Sequence, residues 1–287
     1  MKYIDRQGNI SKADSGQDKL LRIMYGSLPG RAVLKILVQP WVSHVAGMFL
    51  DSSLSTFIIP GFVKRNNINM DDYADDTFSS YNEFFTRHIR PELRPVEGDE
   101  HTVICPCDGK LSVYKIGENS VFNIKNTKYT LKSLLRSKEL AKRYKGGTIC
   151  IFRLTVDDYH RYCYIDNGIK SGEYFIQGVY HTVNPVANDV YPIYKENTRQ
   201  FSLLKSEHFK TVLMMEVGAL LVGRIRNYKG YARVRKGEEK GRFEFGGSTV
   251  VLMFEKDSVD IDKDLFINTS KGYETIVRMG QSIGRSK

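Results

Sequence analysis

Near the end of the chain, Gly246-Gly247-Ser248-Thr249 runs directly into Val250-Val251-Leu252-Met253-Phe254. Two glycines allow a tight, strained turn because they reach backbone angles closed to other residues. Five apolar residues in a row read as a buried strand. The Ser248 hydroxyl is therefore expected on a sharp bend at the mouth of a rigid element. There it becomes a nucleophile if a neighbouring group takes its proton. An imidazole does this near neutral pH, and a buried carboxylate that orients the ring completes the arrangement. The same four letters also suit an ordinary hairpin turn, so the surrounding residues decide between the two.

Those residues carry a resemblance. The segment Lys236-Gly237-Glu238-Glu239-Lys240-Gly241-Arg242-Phe243-Glu244-Phe245-Gly246-Gly247-Ser248-Thr249 resembles the self-cleavage segment of phosphatidylserine decarboxylase proenzymes. Four further blocks are similar to that family and stand in its order: Tyr81-Asn82-Glu83-Phe84-Phe85-Thr86-Arg87, Pro106-Cys107-Asp108-Gly109, Asp158-Tyr159-His160-Arg161 and Thr182-Val183-Asn184-Pro185. Together they span residues 80–256.

The resemblance implies a reaction and roles. The bond between Gly247 and Ser248 breaks, leaving a large chain (1–247) and a small chain (248–287) that stay associated. Ser248 becomes a covalent pyruvoyl group, the cofactor, with neither a metal nor pyridoxal phosphate called for. That group forms a Schiff base with phosphatidylserine and releases CO2 to give phosphatidylethanolamine. The family places its carboxylate in the P-x-D-G turn and its base in D-Y-H-R, here Asp108 and His160. Read alone, Asp108 is a turn former and His160 a structural histidine. One departure stands out: many members carry a second histidine where this chain has Cys163. Cys163 as a weak donor, or His181, is the substitute considered, and Asp157 and Asp158 are placed to tune His160.

Composition is compatible with this. The charge of +10 calls for an anionic partner, nucleic acid or an anionic membrane surface. Arg224, Arg226, Lys229, Arg233, Arg235, Lys236, Lys240 and Arg242, opposed by Glu238 and Glu239, read either as a basic hairpin or as a collar for lipid phosphates. The segment lacks the regular stacking aromatics of a single-strand nucleic-acid groove, which favours the lipid. Four cysteines in a chain of this length argue for a reducing compartment rather than a disulfide scaffold. Only Cys105 and Cys107 are closely spaced, so structural zinc is not expected.

The elements that must hold these groups divide at about residue 95. Residues 1–95 read as an arm or initial hairpin followed by amphipathic helices over 18–50, broken at Pro29-Gly30 and near Pro40. Leu20, Leu21, Ile23, Met24 and Leu28 form one stripe; Val33, Leu34, Ile36, Leu37, Trp41, Val42, Val45 and Phe49 form a broader one. The longest uncharged run, 36–50, is shorter than the ~20 residues of a membrane span, and no signal peptide is visible. Packing on the body and lying in a lipid interface both suit these helices. The resemblance favours the second, as a peripheral protein on the cytoplasmic side of the cell membrane. Residues 96–287 read as the catalytic part, with strands at 102–105, 110–116, 148–154, 161–165, 172–177, 201–204, 211–217, 220–227 and 250–254 and one helix over 131–144. The fold class expected is α+β, a mainly antiparallel β barrel or sandwich with an N-terminal helical region. The resemblance leaves room for a homodimer. Other readings are a pyruvoyl decarboxylase of another substrate, an uncleaved Ser-His-Asp hydrolase, and a basic lipid- or RNA-binding module.

Overall fold

The computed structural model describes residues 2–12, 21, 23–75, 77–119, 121–124, 127–184, 187, 192–219, 224–244, 246 and 248–287. In chain order the strands are β1 (Lys2–Ile4), β2 (Ile10–Lys12), β3 (Thr102–Ile104), β4 (Gly109–Lys115), β5 (Val121–Ile124), β6 (Thr127–Thr130) and β7 (Thr148–Leu154). They continue as β8 (Arg161–Cys163), β9 (Gly168–Lys170), β10 (Tyr174–Ile176), β11 (Arg199–Ser206), β12 (Thr211–Val217) and β13 (Arg224–Asn227). The last are β14 (Ala232–Val234), β15 (Glu239–Glu244), β16 (Ser248–Phe254), β17 (Val259–Ile261), β18 (Glu274–Val277) and β19 (Ser282–Ser286).

The main sheet runs β14-β9-β11-β12-β16-β7-β4-β18-β1-β2, with β10 added beside β11. Its pairs are antiparallel except β1 with β18. The path is open at β14 and β2, so of the two expected forms it is the sandwich, and no closed barrel forms among the described residues.

Alternation along the central strands shows why. Val250, Leu252 and Phe254 join one core cluster with Phe152, Leu154 and Met214; Val251 and Met253 join another with Ile151, Leu213 and Met215. A period of two with both faces apolar requires cover on both sides. The small sheets β13-β15-β8 and β17-β19-β3 contribute Tyr162, Phe243, Val259 and Ile283 to the first cluster. The second holds Phe122 and Tyr129 of the β5–β6 hairpin, Leu131, Leu134 and Tyr144, and the N-terminal Leu21, Tyr25, Leu34 and Val38.

The N-terminal region is woven into this body. β1 and β2 form a hairpin on the edge of the main sheet, one of the two forms expected for the first residues. The helical run breaks at Ser27, two residues before the expected Pro29. Ser27 caps α1 (Leu28–Leu37) by accepting from the Gly30 amide, with Pro29 inside the first turn, where its missing N–H costs nothing. Pro40 likewise opens α2 (Pro40–Leu50). After α3 (Ile58–Arg65), Ser80 caps α4 (Tyr81–Phe85), accepting from Glu83 N while Glu83 accepts from Ser79 N, a variant of the capping box.

The expected helix over 131–144 is two: α5 (Leu131–Leu135) and α6 (Lys138–Arg143). Arg136 turns left-handed at φ 51° and the Ser137 hydroxyl caps the second piece, so side-chain capping overrode continuous periodicity. Two further short helices, α7 (Ile193–Glu196) and α8 (Lys263–Ser270), fell outside the sequence reading.

Candidate active site

Ser248 is the first residue of β16, opposite Leu154, the last residue of β7. Val217, near the end of β12, faces Thr249, and Lys110, near the start of β4, faces Arg153. The end of β7, the start of β4, the end of β12 and the start of β16 therefore lie at one level of the sheet. Gly109 makes the close approach of β4 there: at φ 151°, a Cβ on it would sit 2.8 Å from the Arg153 carbonyl oxygen. Gly246 holds φ 120°, a backbone state that favours glycine, two residues before the serine. Phe245 and Gly247 lie outside the described residues. The Ser248 side chain is fully buried, and its Oγ has no hydrogen-bond partner among the described residues.

His160 reaches this level through the turn that leaves β7. Lys110 Nζ donates to both carboxylate oxygens of Asp158 at 2.8 and 2.7 Å and to Thr155 Oγ1 at 2.6 Å. Thr155 N closes the turn on Asp158 Oδ2 at 2.6 Å. The Asp158 carbonyl oxygen then lies 2.8 Å from His160 Nδ1. Phe85 covers the ring at 4.1 Å between centroids, and the His160 carbonyl accepts from Phe243 N. The N-terminal layer thus packs on this turn: Val156 lies against Tyr81, Phe84 and Phe85, and Tyr159 against Tyr73 and Ile89. Burial lowers the His160 imidazole to about 4, with the Asp158 charge and carbonyl opposing. It is neutral at neutral pH, and its Nε2 is buried with no partner among the described residues.

Asp108 shares the level but not the expected contact. Arg94 grips its carboxylate with Nε at 2.8 Å and Nη2 at 2.6 Å, and Met279 N donates to Oδ1 at 2.8 Å. The group that orients His160 here is the main-chain carbonyl of Asp158, not the Asp108 carboxylate. A two-pronged arginine satisfies a partly buried carboxylate in a way one imidazole N–H does not.

The two substitutes for a second histidine diverge. Cys163 turns Sγ toward the Cys105 carbonyl at 3.9 Å, inside the first core cluster, and burial raises its thiol to about 12. That environment makes it a poor donor to the serine turn. His181 stays near the site's level. Asn197 donates to the carbonyls of both His181 and Gly218, the residue after β12, and the imidazole meets Tyr25 Oη at 3.3 Å. Burial lowers it to about 4. Pro185 of the same block lies outside the described residues.

The basic segment does not form one collar. Lys240 is fully buried against Glu216 at 2.8 Å, Lys236 Nζ donates to the Asp99 and Thr102 carbonyls, and Lys229 pairs with Glu238. Strand alternation sends neighbouring residues to opposite faces, which a run of charges in sequence conceals. Lys110, Arg94 and Phe85, which hold the turn, the carboxylate and the ring, were not predicted as site residues. Phe85 lies within a block already noted and Lys110 directly after one, while Arg94 lies between blocks, and nothing in the sequence there says what any of them faces.

The family model described as phosphatidylserine decarboxylase matches residues 81–285. A phosphatidylserine decarboxylase proenzyme 2 of Clostridium acetobutylicum is 40% identical over 267 residues, covering 93% of this chain and 91% of the relative. A phosphatidylserine decarboxylase proenzyme of Clostridium kluyveri is 40% identical over 291 residues, covering 99% and 98%. One from Clostridium perfringens is 41% identical over 272 residues, covering 93% and 92%. An open antiparallel sandwich with a buried serine at one strand mouth, and a buried neutral imidazole after the turn that leaves the facing strand, holds the kinds of group a serine-centred reaction uses. The chain belongs to the phosphatidylserine decarboxylase family, whose members are carboxy-lyases made as proenzymes.

Proposed function

We propose that this chain cuts itself between Gly247 and Ser248 and then decarboxylates phosphatidylserine to phosphatidylethanolamine. One observation carries the reading: Ser248 Oγ, opposite the end of β7, and His160 Nε2, after the turn that leaves β7, are both buried and unpartnered among the described residues. A buried hydroxyl without a partner forfeits roughly 1–3 kcal/mol, a cost that suits a reacting group better than a structural one.

In the proposed maturation, His160 Nε2 takes the Ser248 proton, and Oγ attacks the Gly247 carbonyl carbon. The C–N bond gives way to an ester, and the proton passes to the freed amine. Loss of the Ser248 α-proton then expels the Gly247 carboxylate, leaving dehydroalanine, which water converts to a pyruvoyl group and ammonia. Serine at 248 fits as the source of that group, since it heads a strand whose following residues stay locked in the core. Once formed, the group supplies a ketone for the substrate amine and an adjacent carbonyl that accepts the electron pair released with CO2. His160 and His181 are the proton carriers proposed for that stage, with Asp108 acting through its hold on the strand mouth. The two chains stay together because β16 lies between β7 and β12.

The enzyme is proposed to sit peripherally on the cytoplasmic face of the cell membrane. Supporting this, Leu28, Val33, Ile36, Trp41, Val45 and Met48 of α1 and α2 are each more than half exposed, the signature of an interfacial apolar face. Among the described residues no single helix is long and apolar enough to cross a bilayer. The bent pair Leu28–Leu37 and Trp41–Leu50, at 66°, reaches that composition only together.

The test is a denaturing gel with mass spectrometry, followed by incubation with phosphatidylserine. The expected result is a blocked fragment of 40 residues (287 − 247) and release of CO2. Active protein containing only unbroken chain overturns the proposal.

A further inference from the structure

Where the β13-β15-β8 sheet meets the N-terminal layer, register sets Arg226, Arg242 and Arg161 directly opposite one another, one on each strand. Residues opposed across a ladder share a face, and like charges so placed destabilise the sheet. An anion beside them reverses that cost. The protein supplies little of it. Arg161 is already held by Glu239 at 2.6 Å, but the other two of the row share one carboxylate with Arg224: Glu244 receives Arg226 at 2.9 Å, Arg242 at 3.3 Å and Arg224 at 3.5 Å. The other acids lining the cleft face partners outside the row of three: Asp75 meets His88, Glu83 accepts from Ser79, and Asp51 takes Arg224 and accepts from Asn82. Arg242 Nε is buried with no partner among the described residues. The arginines line an open cleft of about 460 Å³. β15 ends at Glu244, and Ser248 opens the next strand, so the cleft lies on the chain's approach to the reactive serine.

We infer that this cleft is the subsite for the phosphodiester of the substrate headgroup, with Arg226 and Arg242 as its principal donors and Arg161 behind them. Converging guanidinium forks match a tetrahedral oxyanion with several acceptor atoms better than a single carboxylate. The inference rests on the reading above for the identity of the lipid. The arginine row itself was hidden in the sequence, because Arg161 lies more than sixty residues before its two neighbours.

The test begins with uncut Ser248→Ala protein titrated calorimetrically with glycerophosphoserine, inorganic phosphate and serine. Glycerophosphoserine is expected to bind more tightly than phosphate, and serine not to bind. Arg226→Ala and Arg242→Ala should each weaken glycerophosphoserine about tenfold or more. Glu244→Gln, which removes the internal competitor, should tighten it; this opposite sign guards against a variant that merely loosens the fold. In mature enzyme, the two alanine variants should raise KM for a short-chain phosphatidylserine dissolved as monomers, with kcat nearly unchanged. Arg233→Ala, 77% exposed at its side chain and paired with Glu207, should alter neither.

Unchanged affinity and KM in the alanine variants overturns the inference. So does phosphate binding as tightly as glycerophosphoserine, or a KM rise confined to vesicles, which would assign the arginines to the bilayer surface. If wild-type protein released no CO2 while Ser248→Ala still bound glycerophosphoserine, the functional reading would fall and the cleft would stand.

Discussion

The Asp158 carbonyl oxygen lies 2.8 Å from Nδ1 of His160, and a carbonyl oxygen can only accept. Nδ1 of the neutral ring must therefore carry the proton, and Nε2 the lone pair. Main chain, rather than a side-chain carboxylate, thus selects the tautomer a general base needs.

Because burial holds the imidazole near 4, self-cleavage should be almost independent of pH from 8 down to about 5. Below about 4 the rate should fall roughly tenfold per pH unit as the base protonates. Following the small chain on gels after a pH jump checks this; a midpoint near 6.5 would show that the base is a solvated histidine.

Stability should follow the same groups with a definite sign. His160 and His181 titrate near 4 when folded and near 6.5 when unfolded, so the unfolded chain binds more protons between those values. Both contributions are complete above about 6.5 and are lost as pH falls toward 4. Urea midpoints of Ser248→Ala protein should drop across that window, and His181→Gln should flatten the drop.

Lys110 holds the turn that presents His160. Lys110→Met should strand the Asp158 carboxylate and cost about 3–5 kcal/mol. Adding Asp158→Asn should restore much of the stability, while self-cleavage in the double variant stays slower than wild type. Denaturant titration alongside the cleavage rate separates the two effects.

The buried pair of Lys240 and Glu216, both fully inaccessible at 2.8 Å, makes a third case. Burial raises the Glu216 carboxyl, with Lys240 opposing. Lys240→Met alone should cost about 3–5 kcal/mol, whereas Lys240→Met with Glu216→Leu should come close to wild type. A double-mutant cycle on thermal or urea unfolding measures it.

Residue order and local pattern pointed to the open or closed β body and the helical N-terminus, while the family resemblance, and not the local pattern alone, singled out Ser248. The apolar run after Ser248 had to be a buried strand, and the strands over 148–154 and 211–217 were read with their observed bounds. Short strands such as β9, β14 and β17, three residues each, gave no periodic signal, since three residues hold barely one alternation. They exist because neighbouring strands pair with them. Tertiary structure alone decided that Asp108 answers to Arg94, that a carbonyl orients His160, and that Arg161 lines up with Arg226 and Arg242. Hydrogen bonds between distant segments depend on register and on which face a side chain takes. One residue of slip reverses both, so neither can be read along the chain until the strands are paired.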